Sequence, residues 1–155
     1  MRLIPVLFLA INILCAQRPI PKMNHVTGVF DVKVTPQKPD NAPAEESKLG
    51  RMSIDKQFHG ELEAASKGEM LSAMGEVKGS AVYVAMERVT GKLQGRSGSF
   101  VLHHTGLMTR GEPSLVVKVA PDSGTGELTG ITGSMIIRIE GGKHFYDFDF
   151  SLPTL

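Results

Sequence analysis

Tyr83, Glu87, His104 and Tyr146 are the residues of this chain whose types and neighbours suit proton transfer in an apolar setting. A glutamate or histidine can take or give a proton, and a tyrosine hydroxyl can donate to a developing negative charge. Their placement rests on strand alternation, because successive side chains of a strand point to opposite faces. Tyr83, Ala85 and Glu87 share one face of their segment; Val82, Val84 and Met86 share the other. If the apolar trio faces inward, Tyr83 and Glu87 belong to a solvated face. If the outer wall is itself apolar, Tyr83 and Glu87 line the interior, where burial would raise the pKa of the glutamate. Of the neighbours His103 and His104, one must face in; Phe100, Leu102 and Met108 share parity with His104 and favour it. Such a lone inward histidine is either a base or a satisfied structural residue. Tyr146 shares parity with Phe148 and Phe150. It either brings a phenol to the lumen or is a core ring with its hydroxyl bonded to backbone.

Other chemistries find less support. The five histidines show no ligand spacing beyond the pair 103–104, and adjacent strand residues cannot clamp one ion, so no metal site is expected. Arg51, Lys56, Arg88, Arg96 and Arg110 are scattered and define no anion clamp. The glycines at 124, 126, 130 and 133 precede no helix and no Lys-Ser/Thr pair, which excludes a phosphate loop and leaves turns, bulges or barrel corners. Gly95-Arg-Ser-Gly98 lies in an expected turn rather than a nucleophile elbow. No cofactor is implied.

The elements that must hold these residues are strands. Gly141-Gly142 gives φ freedom at both positions of a two-residue connection, as type I′ and II′ turns require. Met135, Ile137 and Ile139 alternate with Ile136, Arg138 and Glu140 before it, and Tyr146, Phe148 and Phe150 alternate with Phe145, Asp147 and Asp149 after it. Period two with one apolar face marks an antiparallel hairpin. Similar runs read as strands at 28–35, 50–64, 67–76, 79–92, 97–108, 113–120, 126–140 and 143–152. Eight meandering strands can close into a barrel and abolish exposed edges, with an open sandwich as the structural alternative. No segment has convincing helical period. The Pro- and charge-rich stretch 36–47 reads as a solvated connection, or alternatively as a lid over the barrel mouth.

At 155 residues the chain forms one domain, expected over 28–152 after a polar leader at 17–27. Seventeen basic against 16 acidic residues, and no Trp, argue against nucleic acid as a partner. Arg2 followed by the apolar run to Ala16 fits a signal peptide over 1–16, and is short for a transmembrane helix. Export to the periplasm or beyond follows, with no stable membrane insertion after removal of the signal; a start at Met23 would instead leave the protein cytoplasmic, and a retained anchor is the third reading. Cys15, the sole cysteine, falls inside that segment, so the mature chain has no disulfide or thiol nucleophile.

From about Gly28 to Leu152 the chain resembles a bacterial family of unknown function assigned to the allene oxide cyclase-like barrels. The matching pieces are Gly28–Pro36, Lys56–Leu62, Ser66–Ser72, Tyr83–Gly91, Gly95–His104 and Asp122–Leu128. The resemblance implies an eight-stranded antiparallel barrel. The plant cyclases of that superfamily rearrange a fatty-acid epoxide in an apolar cavity, and the related dirigent proteins orient phenoxy radicals. Only the terminal hairpin is shared with those enzymes, and their catalytic residues match no positions here, so the resemblance implies fold and not activity.

Three functions are therefore expected in turn: a small exported barrel binding an apolar small molecule in its mouth; an isomerase or cyclase on a reactive apolar substrate, using Tyr83, Glu87, His104 and Tyr146; and a packed structural or interaction module without ligand. If Tyr83 and Glu87 take the lumen, the valines opposite need cover, which a homo-oligomer would supply.

Overall fold

The computed structural model describes residues 22–153. Eight strands form a closed antiparallel barrel: β1 (Met23–Gln37), β2 (Gly50–Gly60), β3 (Leu62–Met74), β4 (Ala81–Leu93), β5 (Arg96–Thr109), β6 (Glu112–Val119), β8 (Thr132–Glu140) and β9 (Lys143–Ser151). The strand order runs β4-β3-β2-β1-β9-β8-β6-β5, and pairing of β4 with β5 closes the ring. The two-residue β7 (Thr125–Gly126) adds to β5 beside the ring. The ring is weakest between β6 and β8, which pair only at Val117–Met135 and Lys118–Ser134 and diverge over 112–116 and 136–140.

The terminal hairpin forms as its residues demand. Gly141 and Gly142 both adopt positive φ, 57° and 77°, and Glu140 pairs with Lys143. Elsewhere the strands differ from expectation in instructive ways. β1 begins at Met23, so residues 23–27 of the expected polar leader pair with β9 and belong to the barrel. The expected single strand 50–64 is a hairpin that turns at Gly60-Glu61. The expected strand 126–140 begins only at Thr132, because the segment before it folds across one barrel end and inserts Leu128 and Ile131 into the core. Within 36–47 lies a five-residue helix, α1 (Ala42–Glu46), capped by the Asn41 side chain accepting from the Ala44 amide. The segment is the solvated connection expected, exposed at every position but Ala44, and it is tied to the wall where Arg51 holds Asp40 at 2.7 Å; Asp40 and Ala44 wall a groove on the outer face. The expected signal segment 1–16, with Cys15, lies outside the described residues.

The interior has two halves. At the end carrying the β2–β3 and β4–β5 turns, side chains fill the lumen completely: Leu62, Leu93, Phe100, Leu128, Tyr146, Phe148 and Phe150 are all buried. Phe100, Phe148 and Phe150 stack in sequence at 5.7 and 5.3 Å between centroids. Towards the opposite end the inward rows stay apolar but become accessible. Val34, Met108, Leu115 and Ile139 have inward parity and yet are exposed.

Tyr146 belongs to the packed half. Its hydroxyl donates to the His59 carbonyl at 3.1 Å and accepts from the Leu62 amide at 3.2 Å. It therefore ties the β2–β3 turn to β9. Removing it in Tyr146→Phe leaves a buried amide and carbonyl short of a partner, which costs about 1–3 kcal/mol. Urea unfolding measures this; a midpoint unchanged from wild type would contradict the structural role.

Candidate functional site

Midway along the barrel, between its packed and accessible halves, sits a buried polar cluster. Glu87 on β4 is its centre and is 1% exposed. Lys56 Nζ on β2 donates to Glu87 Oε1 at 2.7 Å, and the Ser66 hydroxyl on β3 donates to Oε2 at 2.5 Å. His104 Nε2 on β5 lies 2.8 Å from Oε1. All four residues are buried.

The register explains the meeting. Glu87 opposes Gly68 on one side and Leu102 on the other. Its diagonal neighbours two residues away are Ser66 and His104, within reach of a long side chain. Lys56 opposes Ser66 and reaches across it. Gly68 makes the approach feasible: a Cβ there would stand 2.6 Å from the Cβ of Glu87. Phe30 and Phe58 present their rings to the Lys56 ammonium at 5.0 and 5.8 Å, adding cation–π attraction to the ion pair.

The strength of this network shows in Glu87. Burial pushes its carboxyl pKa up, but hydrogen bonds from His104, Lys56 and Ser66, with the charge of Lys56, outweigh burial and hold it down at about 2. The expected upward shift is thus reversed, because the carboxylate is buried with its partners and not alone. Glu87 is a fixed anion at neutral pH, unsuited to be a proton donor itself. Facing a carboxylate, His104 Nε2 carries its hydrogen. Every fully buried side-chain nitrogen and oxygen of the described residues has a hydrogen-bond partner. His104 Nδ1 bonds to none of these residues, so it borders accessible space. A carboxylate that fixes one ring nitrogen leaves the other as a proton acceptor, the relation used by acid–base dyads.

The family model of a "protein of unknown function", DUF3224, matches residues 26–150. The chain belongs to the DUF3224 family. A crystal structure of a DUF3224 protein of unknown function from Shewanella oneidensis MR-1 is similar, at 57% identity over 86% of this chain and 100% of that one, with a TM-score of 0.77. Among curated proteins none matches.

In this DUF3224 barrel the four sequence candidates separate. Glu87 and His104 come into direct contact. Tyr83 faces inward two positions beyond Glu87 towards the accessible end, past Ala85, its ring lying against Gly106, opposite it on β5. Burial and the Glu87 charge push its phenol pKa up, so its proton stays on at neutral pH. Tyr146 stands apart, engaged with backbone. Lys56, read from the sequence as one of five scattered cations, joins the cluster, and so does Ser66. The signal for Lys56 was present: it interrupts the apolar row Ile54, Phe58 on one face of β2. An opposite charge on a like row of another strand, Glu87, completes the hint. Ser66 carries no such signal, since a serine fits either face.

A further recess lies elsewhere. A groove of about 630 Å³ lies on the outer wall, where Arg51, Leu71, Val84, Met86 and His103 surround it with the α1 segment. Most of its lining faces outward, and Ala85 and His104 of the inward rows also contribute to it.

Proposed function

We propose that this protein binds a small, mainly apolar molecule in the accessible half of its barrel, seated above the Lys56–Glu87–His104 floor. One observation carries the reading: inward rows remain apolar past the packed core, yet Val34, Leu115, Met108 and Ile139 are exposed at one end. Apolar walls with a few convergent polar groups at the base suit a small-molecule site. Tyr83, half-buried above the cluster, supplies a hydroxyl that makes no hydrogen bond to another described residue, available to a carbonyl or hydroxyl of the ligand. The allene oxide cyclase-like subtype of barrel and export from the cytoplasm accord with this reading; the terminal hairpin and the apolar run before Ala16 support them.

A second reading, an isomerase acting by proton transfer, is favoured by the Glu87–His104 contact. Glu87 would orient the ring, His104 Nδ1 would accept a proton, and the Tyr83 hydroxyl would face the developing oxyanion. Tyr146 takes no part.

The binding reading is tested by titrating the protein with 1-anilinonaphthalene-8-sulfonate and displacing it with uncharged long-chain ketones. We expect saturation near one probe per barrel. Ile139→Asp at the mouth should weaken it at least tenfold, whereas Val84→Asp on the outer wall should not. The reverse pattern would place the ligand in the outer groove and end the lumen reading.

A further inference from the structure

We propose that the outer face of β3–β6 is the interface of a two-fold dimer of this chain. Val84, Met86, Leu107 and Val116 are outward-facing and 45–66% exposed. They cluster in one sector; the outer faces of β1, β2 and β9 are mostly charged, with Asp31, Lys33, Asp55, Asp147 and Asp149, although Val29 and Phe145 also face outward there. A contiguous apolar sector bounded by polar wall marks an interaction site. Packing on this sector is face to face; the edges of β6 at 112–116 and of β8 at 136–140, which do not pair with each other, lie at its border.

The cross-strand register identifies a second copy as the occupant. Three outward rows cross the sector: Glu69-Met86-His103-Lys118, Leu71-Val84-Thr105-Val116 and Ala73-Val82-Leu107-Ser114. A two-fold axis lying in the interface, parallel to the strands and between β4 and β5, reverses the order of each row in the facing copy. Leu71 then meets Val116 of the second copy and Val82 meets its Leu107, while Val84 meets Thr105, Met86 meets His103 and Ala73 meets Ser114. At the end of the first row Glu69 meets Lys118. Glu69 and Asp40 share one arginine, Arg51, so that rim holds two anions to one cation and is complementary to Lys118. An isologous interface requires this self-complementarity. A membrane surface would want basic residues around the patch, and the Asp40–Glu69 rim is acidic.

The groove fits the same arrangement. It spans β3 to β5, and the axis brings Val116 of the second copy over its Leu71 wall. Three rows of four residues span roughly 400 Å² of sheet at about 4.8 Å between strands and 3.4 Å per residue. A stable dimer buries about 800 Å² per partner, so the α1 segment that walls the groove must take part.

Sedimentation equilibrium of the full protein at 1–50 μM tests this. We expect twice the chain mass, with Val84→Asp shifting the protein to monomer while far-UV circular dichroism and thermal midpoint of the barrel are retained; Met86→Ser, a milder change, should weaken the dimer in the same direction. Lys118→Glu should weaken dimerisation about tenfold, and adding Glu69→Lys to the same chain should restore it. A wild-type monomer at 50 μM, a dimer indifferent to Val84→Asp and Met86→Ser, or a double charge reversal no better than Lys118→Glu alone would each overturn the proposal. Probe binding in the lumen is measured separately, so either reading can fail without the other.

Discussion

Glu87→Gln is expected to lower the stability of the barrel by about 3–5 kcal/mol, the range for removing one partner of a buried ion pair. Glutamine keeps the shape, but its single carbonyl oxygen serves one side only: placed at the Oε1 position it still accepts from His104, and its amide then donates to the Ser66 hydroxyl. It leaves the ammonium of Lys56 inside the lumen with no anion, and that uncompensated charge is the main cost. At about 2–4 °C per kcal/mol for a chain of this size, thermal unfolding should shift down by roughly 10 °C or more. Lys56→Met added to Glu87→Gln removes the stranded charge, and most of the loss should return. A single variant melting within 2 °C of wild type would show that the pair contributes little.

The same ion pair sets the acid limb of stability. The folded carboxyl titrates near 2 and its ordinary value is 4.5, so the folded pKa is the lower of the two. A depressed acid contributes stability that is complete above its unfolded pKa and lost as pH falls through its folded one. The window for Glu87 is therefore pH 4.5 down to 2, and the shift is worth about 3 kcal/mol at the top of that window. Wild-type stability should fall across it, and Glu87→Gln should lose that portion of the slope. Denaturant titrations at several pH values read both.

The terminal hairpin was legible because two adjacent glycines and a strict apolar–charged alternation leave one solution. The inward orientation of His104 was legible for a similar reason: Phe100 and Leu102 fix the parity. Parity on β4 was ambiguous, since Val82, Val84 and Met86 present a more apolar face outside than Tyr83, Ala85 and Glu87 do inside. Only partners on other strands make that inside tolerable, and partners are a matter of register. Register depends on where each hairpin turns. The turn at Gly60-Glu61 was hidden inside what alternation read as one strand, and with it the pairing of Lys56 with Ser66. The start of β1 was hidden differently. Met23–Thr27 carry one buried apolar side chain, Val26, and owe their strand form to the ladder with β9. A segment stabilised by its neighbour's backbone leaves little trace in its own composition.

Phe58→Ala is expected to be comparably damaging, by about 3–5 kcal/mol, through lost transfer energy and the cavity left behind. Phe58 is fully buried, packs on Phe30 at 5.3 Å and meets Tyr146 edge-on at 5.7 Å. Its ring also stands beneath the Lys56 ammonium, so truncation removes one of the two faces that stabilise that charge. The closed ladder of β1, β2 and β3 limits how far the wall can move inward, and a site that cannot collapse keeps its void. That void lies directly below the polar floor. Phe58→Leu should recover about half the loss, because it restores volume without the aromatic contacts. Guanidinium unfolding gives the energies. If Phe58→Ala costs less than about 1 kcal/mol, the packed half is looser than its contacts indicate, and the division of the lumen into a filled half and a receptive half would have to be abandoned.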